Sequence, residues 1–136
     1  MRLMINSRFL TQSISGVQRY AHEITKEIIK SENDEVIVLA PQIIKAEYQR
    51  LYPITNSCSP LSGHPWEQFA LPCDFKKANT QLLFSPGNMG PLCISDQVVT
   101  LHDTAFITRP DGFKNCSAKW YGFLIPRLAK KVKKII

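Results

Sequence analysis

The first forty residues alternate strand, helix and strand patterns, and this alternation constrains the fold more than any other feature. Arg2-Leu3-Met4-Ile5-Asn6 is a short apolar segment typical of a strand, and residues 36–40 are a continuous apolar run typical of a parallel strand buried on both faces. Between them, apolar residues recur at helical spacing and form one face of a helix: Val17, Tyr20, Ala21, Ile24 and Ile28. The pattern predicts an α/β fold, a Rossmann-like open and mainly parallel sheet with helices on both faces.

The rest of the chain continues this alternation with more interruptions, because all nine prolines follow residue 40. We expect a short helix over residues 43–52 and an exposed loop over 53–64. A helix should start at Pro65-Trp66-Glu67, and Pro72 should end or kink it.

Residues 82–84 and 97–101 are predicted strands, and residues 131–136 are the start of another. A helix is expected from about residue 117, kinked at Pro126, with this inner apolar stripe: Tyr121, Leu124, Ile125, Leu128 and Val132.

Size and charge exclude several classes of protein. The 136 residues correspond to one domain, residues 1–136, and no apolar run approaches the roughly 20 residues of a membrane span. The net charge of +6 lies after residue 113, where there are seven basic residues and no acidic one. This asymmetry argues against a nucleic-acid-binding face built into the fold.

The four cysteines have no C-x-x-C spacing, so we expect free thiols and no metal site.

Two polar segments follow predicted strands, at the sheet edge where open α/β folds bind ligands. Ser15-Gly16-Val17 begins the first helix, whose free N–H groups and dipole suit an anion; Ser15 and Gln18 can also form a capping box, and a capped helix start is the alternative interpretation. His102-Asp103 ends the late strand, where an imidazole and a carboxylate suit acid–base chemistry. The alternative there is a capping Asp beside a hydrogen-bonded His.

Trp66 and Glu67 form a third candidate, since an aromatic ring and a carboxylate at an exposed helix start suit sugar recognition. A buried Trp with capping partners is the alternative. Asn88 lies in the Ser85-Pro86-Gly87-Asn88 turn, which is expected to face the same sheet edge.

Five segments, taken in order, resemble the N-terminal half of the family-4 glycosyltransferases of the GT-B fold. They cover the whole chain and resemble most the bacterial mannosyl- or rhamnosyltransferase-like enzymes of surface-polysaccharide biosynthesis. The segments are Arg8 with Ser15-Gly16-Val17-Gln18-Arg19-Tyr20, Pro65-Trp66-Glu67-Gln68 with Leu71-Pro72, Phe84-Ser85-Pro86-Gly87-Asn88 with Pro91, Val98-Val99-Thr100-Leu101-His102-Asp103, and Arg109-Pro110 with Trp120-Tyr121 and Pro126.

This resemblance implies a retaining enzyme that transfers a sugar from a GDP-, UDP- or dTDP-linked donor to a glycan or lipid-linked acceptor. No cofactor and no obligatory metal are implied. Ser15, Gly16 and Val17 would lie against the donor diphosphate, and His102 and Asp103 would be catalytic, with His102 touching the donor sugar. The acceptor-binding residues would be Trp66, Glu67 and Asn88.

The family's donor-binding C-terminal domain has no counterpart in these residues, so we expect an acceptor-side fragment that is inactive alone. The alternative is a non-catalytic Rossmann-like module that binds a glycan, a lipid or a partner enzyme. A cytoplasmic location is expected. The basic C-terminal helix is either a solvated face that meets the missing domain or a peripheral contact with the anionic inner membrane face.

Overall fold

The computed structural model describes residues 1–31, 35–102 and 115–136. Among these residues, six strands are β1 (Arg2–Asn6), β2 (Glu35–Ala40), β3 (Ile54–Asn56), β4 (Leu82–Ser85), β5 (Gln97–Val99) and β6 (Lys134–Ile135). The helices are α1 (Gly16–Lys30), α2 and α3 (Asn115–Lys131). α2 is continuous but has three stretches: Gly63–Pro65, a π-helical Trp66–Ala70, and Leu71–Lys77.

The strands form one parallel sheet in the order β3-β2-β1-β4-β5-β6. β1 lies at its centre, where Ile5 is in register with Val38 of β2 and Phe84 of β4. Ile5 is fully buried. The predicted Rossmann-like α/β fold is therefore confirmed, and both neighbours of β1 run in its direction.

Helices cover both faces of the sheet because the side chains of each strand alternate between the faces. Leu3, Ile5 and Val38 pack on the α1 face, in the same cluster as Ala21 of α1. The opposite face holds Met4, Leu39, Leu83, Trp66 and Leu71, of which the last two belong to α2. α3 lies beside α2, where Trp120 and Leu124 line one groove with Phe69, and it buries part of its predicted stripe: Leu124, Ile125 and Leu128.

The middle of the chain departs from the sequence-based expectation in two places. The short helix expected over residues 43–52 is a single 3-10 turn, Ala46–Tyr48. The exposed loop expected over residues 53–64 contains β3, whose Ile54 is in register with Val38. β3 has three residues, of which Thr55 and Asn56 are exposed, so it carries no buried apolar run that would mark it as a strand.

α2 continues through Pro72 to Lys77. Of the two effects expected of Pro72, ending the helix or kinking it, the first does not occur. A proline in a helix lacks an N–H donor, and its ring collides with the carbonyl four residues earlier, here that of Gln68. The π-helical stretch Trp66–Ala70 immediately precedes Pro72 and widens the helix there.

α3 contains Pro126 and likewise runs through it to Lys131. The basic residues at its end and beyond it are exposed: Lys130, Lys131, Lys133 and Lys134. All four cysteines are free, as expected, and all four are exposed. Within the described ranges, no helix is both long and apolar enough to span a membrane.

Gly90 provides a test of the packing beneath the sheet edge. A Cβ there would overlap Gln97 Oε1 and come within 3.0 Å of Ser85 Oγ. Gln97 cannot move aside easily, because it is fully buried and its Nε2 donates to the carbonyl of Pro91 at 2.6 Å. Gly90→Ala should therefore lower the free energy of unfolding, measured with urea, by about 1–3 kcal/mol.

Gly122 in α3 is the matched control, since a Cβ there meets no atom within 4 Å. Gly122→Ala should be neutral, or stabilising by up to about 1 kcal/mol, because alanine is the better helix former. Equal effects of the two substitutions would show that the packing around Gly90 is not tight.

Candidate functional site

A polar cavity of about 130 Å³ opens at the carboxyl edge of the sheet, beside the ends of β1 and β4. The strand order reverses between these two strands: the chain first builds β2 and β3 on one side of β1, then β4 to β6 on the other. Open α/β sheets bind ligands at such a switch point. Residues that line the cavity include Asn6, Arg8, Gln12, Ser15, Val17, Gln18, Glu67, Gly87 and Asn88.

Glu67 is the buried acid of this cavity, with 1% of its surface exposed. Asn6, the last residue of β1, donates from Nδ2 to Glu67 Oε1 at 2.8 Å and to Ser85 Oγ, at the end of β4, at 3.2 Å. Arg8 Nε lies 3.5 Å from the same Oε1. Oε2 has no hydrogen-bond partner and lies 3.6 Å from His64 Nδ1. The end of β1 thus ties the carboxylate of α2 to the end of β4.

The π-helical stretch of α2 determines where Trp66 and Glu67 lie. Trp66 is fully buried against Met4 and Leu39, beneath the sheet. The burial of Trp66 agrees with the alternative interpretation of this segment, whereas the exposed helix start expected for a sugar-binding pair is wrong for both residues. Glu67 is buried yet lines the cavity, whereas Trp66 packs in the core, so its position gives no support to an acceptor-binding role.

The start of α1 forms another wall. Ser15 Oγ hydrogen-bonds the side-chain Oε1 of Gln18, and no side-chain cap reaches the first-turn N–H groups. The predicted capping box is therefore absent. A Cβ on Gly16 would meet no atom within 4 Å, so the backbone of this turn is open to an approaching group. Free N–H groups at a helix start attract anions.

His102 lies beside the same edge, after β5. Its backbone N–H donates to Asn88 Oδ1 at 2.6 Å, and its Nε2 lies 2.7 Å from the carbonyl oxygen of Pro86, to which a protonated Nε2 donates. Its ring contacts Tyr20 of α1 edge-to-face, with centroids 4.6 Å apart. The imidazole is thus held between α1 and the turn after β4. Asp103, like Arg109 and Pro110, lies outside the described residues.

Asn88 and Gly87 connect these walls. Asn88 has a φ of 61°, in the left-handed region. A Cβ on Gly87 would lie 3.9 Å from Val17 Cγ1, which places this turn against the start of α1. The structure therefore brings Ser15, Val17, Glu67 and Asn88 around one cavity, with Gly16 and His102 beside it.

Asn6, Gln12 and Gln18 also line the cavity, although the sequence pattern indicated no binding role for them and Gln18 was expected only as part of a helix cap. Asn6 carried a usable signal, because it is a polar residue at the end of an otherwise apolar strand. Gln12 is held by Gln18, whose Nε2 donates to Gln12 Oε1 at 2.8 Å. Nothing in the local sequence pattern marks that pairing.

A second buried polar pair belongs to the core. His22 Nδ1 and the Tyr52 hydroxyl are 2.7 Å apart beneath α1. Burial, with a smaller contribution from Lys26, lowers the pKa of His22, and burial raises the pKa of Tyr52. Burial thus favours the uncharged form of both groups, and the direction of the hydrogen bond between them depends on the tautomer of His22. Among the described residues, no three His, Cys, Asp or Glu side chains are grouped as metal ligands.

Comparison of the chain with family models, with curated proteins and with solved structures gives no match. The resemblance to family-4 glycosyltransferases consequently stays a prediction that depends on the segments named above.

The hydrogen bond that links the His102 backbone to the turn after β4 can be tested at Asn88. Asn88→Gly keeps the left-handed backbone but removes the acceptor for the His102 N–H, and should cost about 1 kcal/mol of unfolding free energy. Asn88→Ala also adds the strain of a left-handed alanine, about a further 1 kcal/mol. Denaturant unfolding measures both; equal losses would mean that the positive φ is not imposed by the fold.

Proposed function

We propose that this chain is the acceptor-side domain of a retaining glycosyltransferase that uses nucleotide-sugar donors and resembles family 4 of the GT-B fold. The observation that supports it is the gathering, at the switch point of a parallel sheet, of an open helix start, a fixed histidine and a buried carboxylate. A second Rossmann-like domain would supply the opposite wall, which holds the nucleoside, whereas this chain would contact the diphosphate and bind nucleotides weakly by itself.

In the proposed reaction, the bond between the anomeric carbon and the diphosphate breaks while an acceptor hydroxyl bonds to that carbon, and the hydroxyl proton passes to an oxygen of the leaving diphosphate. Negative charge develops on the leaving diphosphate. The uncapped start of α1 suits this charge, because its N–H groups and dipole are fixed in place before the reaction. His102, beside the same edge, would contact the donor sugar, and Glu67 and Asn88 would face the acceptor. Ser15 and Val17 would flank the diphosphate with Gly16.

Gly16→Val tests the diphosphate assignment. A Cβ at this position meets no protein atom within 4 Å, so we expect the variant to fold, but the branched side chain would occupy the space of the diphosphate. We expect the affinity for GDP, UDP or dTDP, measured by calorimetry, to fall at least tenfold, or about 1.4 kcal/mol.

Gly122→Val is the matched control, because a Cβ at Gly122 is equally unobstructed and lies on α3. It should bind these nucleotides as the unchanged chain does. Unchanged affinity in Gly16→Val would contradict the assignment, and absence of nucleotide binding by the unchanged chain would contradict the proposed function.

The proposal includes a peripheral contact of α3 with an anionic cytoplasmic membrane face. Support comes from the exposed Lys130 and Lys131 and from Phe123, which is 48% exposed with the Arg127 guanidinium 3.8 Å from its ring centroid. Each basic side chain near an anionic surface contributes about 1 kcal/mol.

Vesicle co-sedimentation tests this contact. Binding should rise with the anionic lipid content and fall with salt, and K130E/K131E should weaken it at least tenfold. The control K76E/K77E reverses two exposed charges at the end of α2 and should have no effect. Binding that ignores lipid charge and salt would contradict the membrane contact.

A further inference from the structure

An apolar groove of about 490 Å³ lies between α2 and α3 and shares no lining residue with the polar cavity. Its two polar lining residues are held by other contacts. The Gln68 amide donates to the Gly90 carbonyl at 3.1 Å and accepts from the Leu92 N–H at 3.0 Å. The His64 ring packs near Trp120, with centroids 5.7 Å apart. The groove therefore presents mainly hydrocarbon surface, from Pro65, Phe69, Leu92, Trp120 and Leu124.

Two phenylalanines leave this apolar surface open to solvent. Phe69, in the wall of the groove, is 69% exposed, and Phe123 is 48% exposed. The Phe123 ring stacks on Trp120 with centroids 6.5 Å apart, so the apolar surface continues from the groove along α3. An exposed apolar patch with polar residues at its rim is typical of a contact surface.

The cations of α3 indicate which occupant fits this surface. Trp120, Leu124, Arg127 and Lys131 recur at i, i+4, i+7 and i+11, so they follow one face of the helix. The Arg127 guanidinium lies 3.8 Å from the Phe123 ring centroid, where the apolar surface ends. Among the described residues, no carboxylate forms an ion pair with Arg127 or Lys131. An apolar groove that leads to unpaired cations matches a hydrocarbon chain with an anionic headgroup.

We propose that the groove holds one hydrocarbon chain of an anionic membrane lipid, whose headgroup lies against Arg127 and Lys131. The volume is that of a pocket for one small ligand, which favours a single chain over a protein segment. Exposed Lys130 and Lys134 add positive charge nearby, which favours a lipid within an anionic membrane over a free amphiphile. This inference rests on the membrane contact in the proposed function and deepens it, since the contact then takes a lipid chain into the protein.

Quenching of tryptophan fluorescence by bromine tests the groove, because Trp120 lines it and the chain has only one other tryptophan, the fully buried Trp66. The whole chain is mixed with vesicles of phosphatidylglycerol and phosphatidylcholine that carry bromine near the carbonyl end or near the methyl end of their acyl chains. A lipid chain inside the groove brings its methyl end to Trp120, so methyl-end bromine should quench at least as strongly as carbonyl-end bromine. Trp120→Phe keeps an aromatic wall and should abolish the quenching.

Phe69→Glu tests the apolar wall. Phe69 is exposed, so we expect the variant to fold, but a lipid chain in the groove would now remove a carboxylate from water. Quenching of the vesicle-bound protein should fall about threefold. Ile43→Glu is the matched control, because it makes the same charge change at a residue that is 85% exposed and lies after β2, outside the groove. It should be quenched as the unchanged chain is.

Vesicle binding with quenching mainly by carbonyl-end bromine, or full quenching in Phe69→Glu, would overturn the groove as a chain site and leave the membrane contact intact. Absence of vesicle binding would overturn both. Calorimetric binding of GDP or UDP reports on the nucleotide-sugar assignment separately, since the groove and the polar cavity have different linings.

Two further outcomes would assign the groove to another occupant and overturn the proposal. Quenching by dissolved bromododecanoate but not by vesicles would indicate a free amphiphile. Dimerisation without lipid that is lost in Phe69→Glu, measured by sedimentation equilibrium, would indicate a second copy of this chain.

Discussion

The placement of β1 between β2 and β4 is the constraint on which the rest of this structure depends. Because the sheet grows away from β1 in both directions, the loops after β1 and β4 leave in different directions and open a crevice between them. Asn6, at the end of β1, bridges this crevice to Ser85 and to Glu67. The cavity therefore follows from topology, and its chemistry follows from the few polar side chains that terminate the buried strands.

The burial of the Glu67 carboxylate is the feature of this arrangement with the highest cost in desolvation free energy. A carboxylate removed from water needs hydrogen bonds and an opposite charge, and Asn6 and Arg8 supply both on one of its oxygens. The helix that carries Glu67 also departs from regular geometry at that point, with a π-helical turn before Pro72. Such turns are frequent at functional sites, where they reorient a side chain. A purely structural role would be filled more simply by an apolar residue.

Much of the sheet could be predicted from the sequence, because β1, β2 and β4 are buried parallel strands and consist of apolar runs. β3 was not predicted, because it is a short edge strand with exposed polar residues. The edge that holds the site was predictable from the polar residues after strands. The burial of Trp66 was one of two interpretations that the sequence left open. The burial of Glu67 was not predictable, because it depends on a widened helix turn and on partners such as Asn6, some sixty residues away.

The central claim is that the switch point of this sheet is one wall of a nucleotide-sugar site. The most direct test is an amide chemical-shift map of the whole chain with a GDP- or UDP-linked sugar. The account predicts saturable shifts confined to the start of α1, the turn after β4 and residues near His102. Shifts at the opposite edge of the sheet, around Gln81 and Asp96, or no saturable shift at all would contradict it.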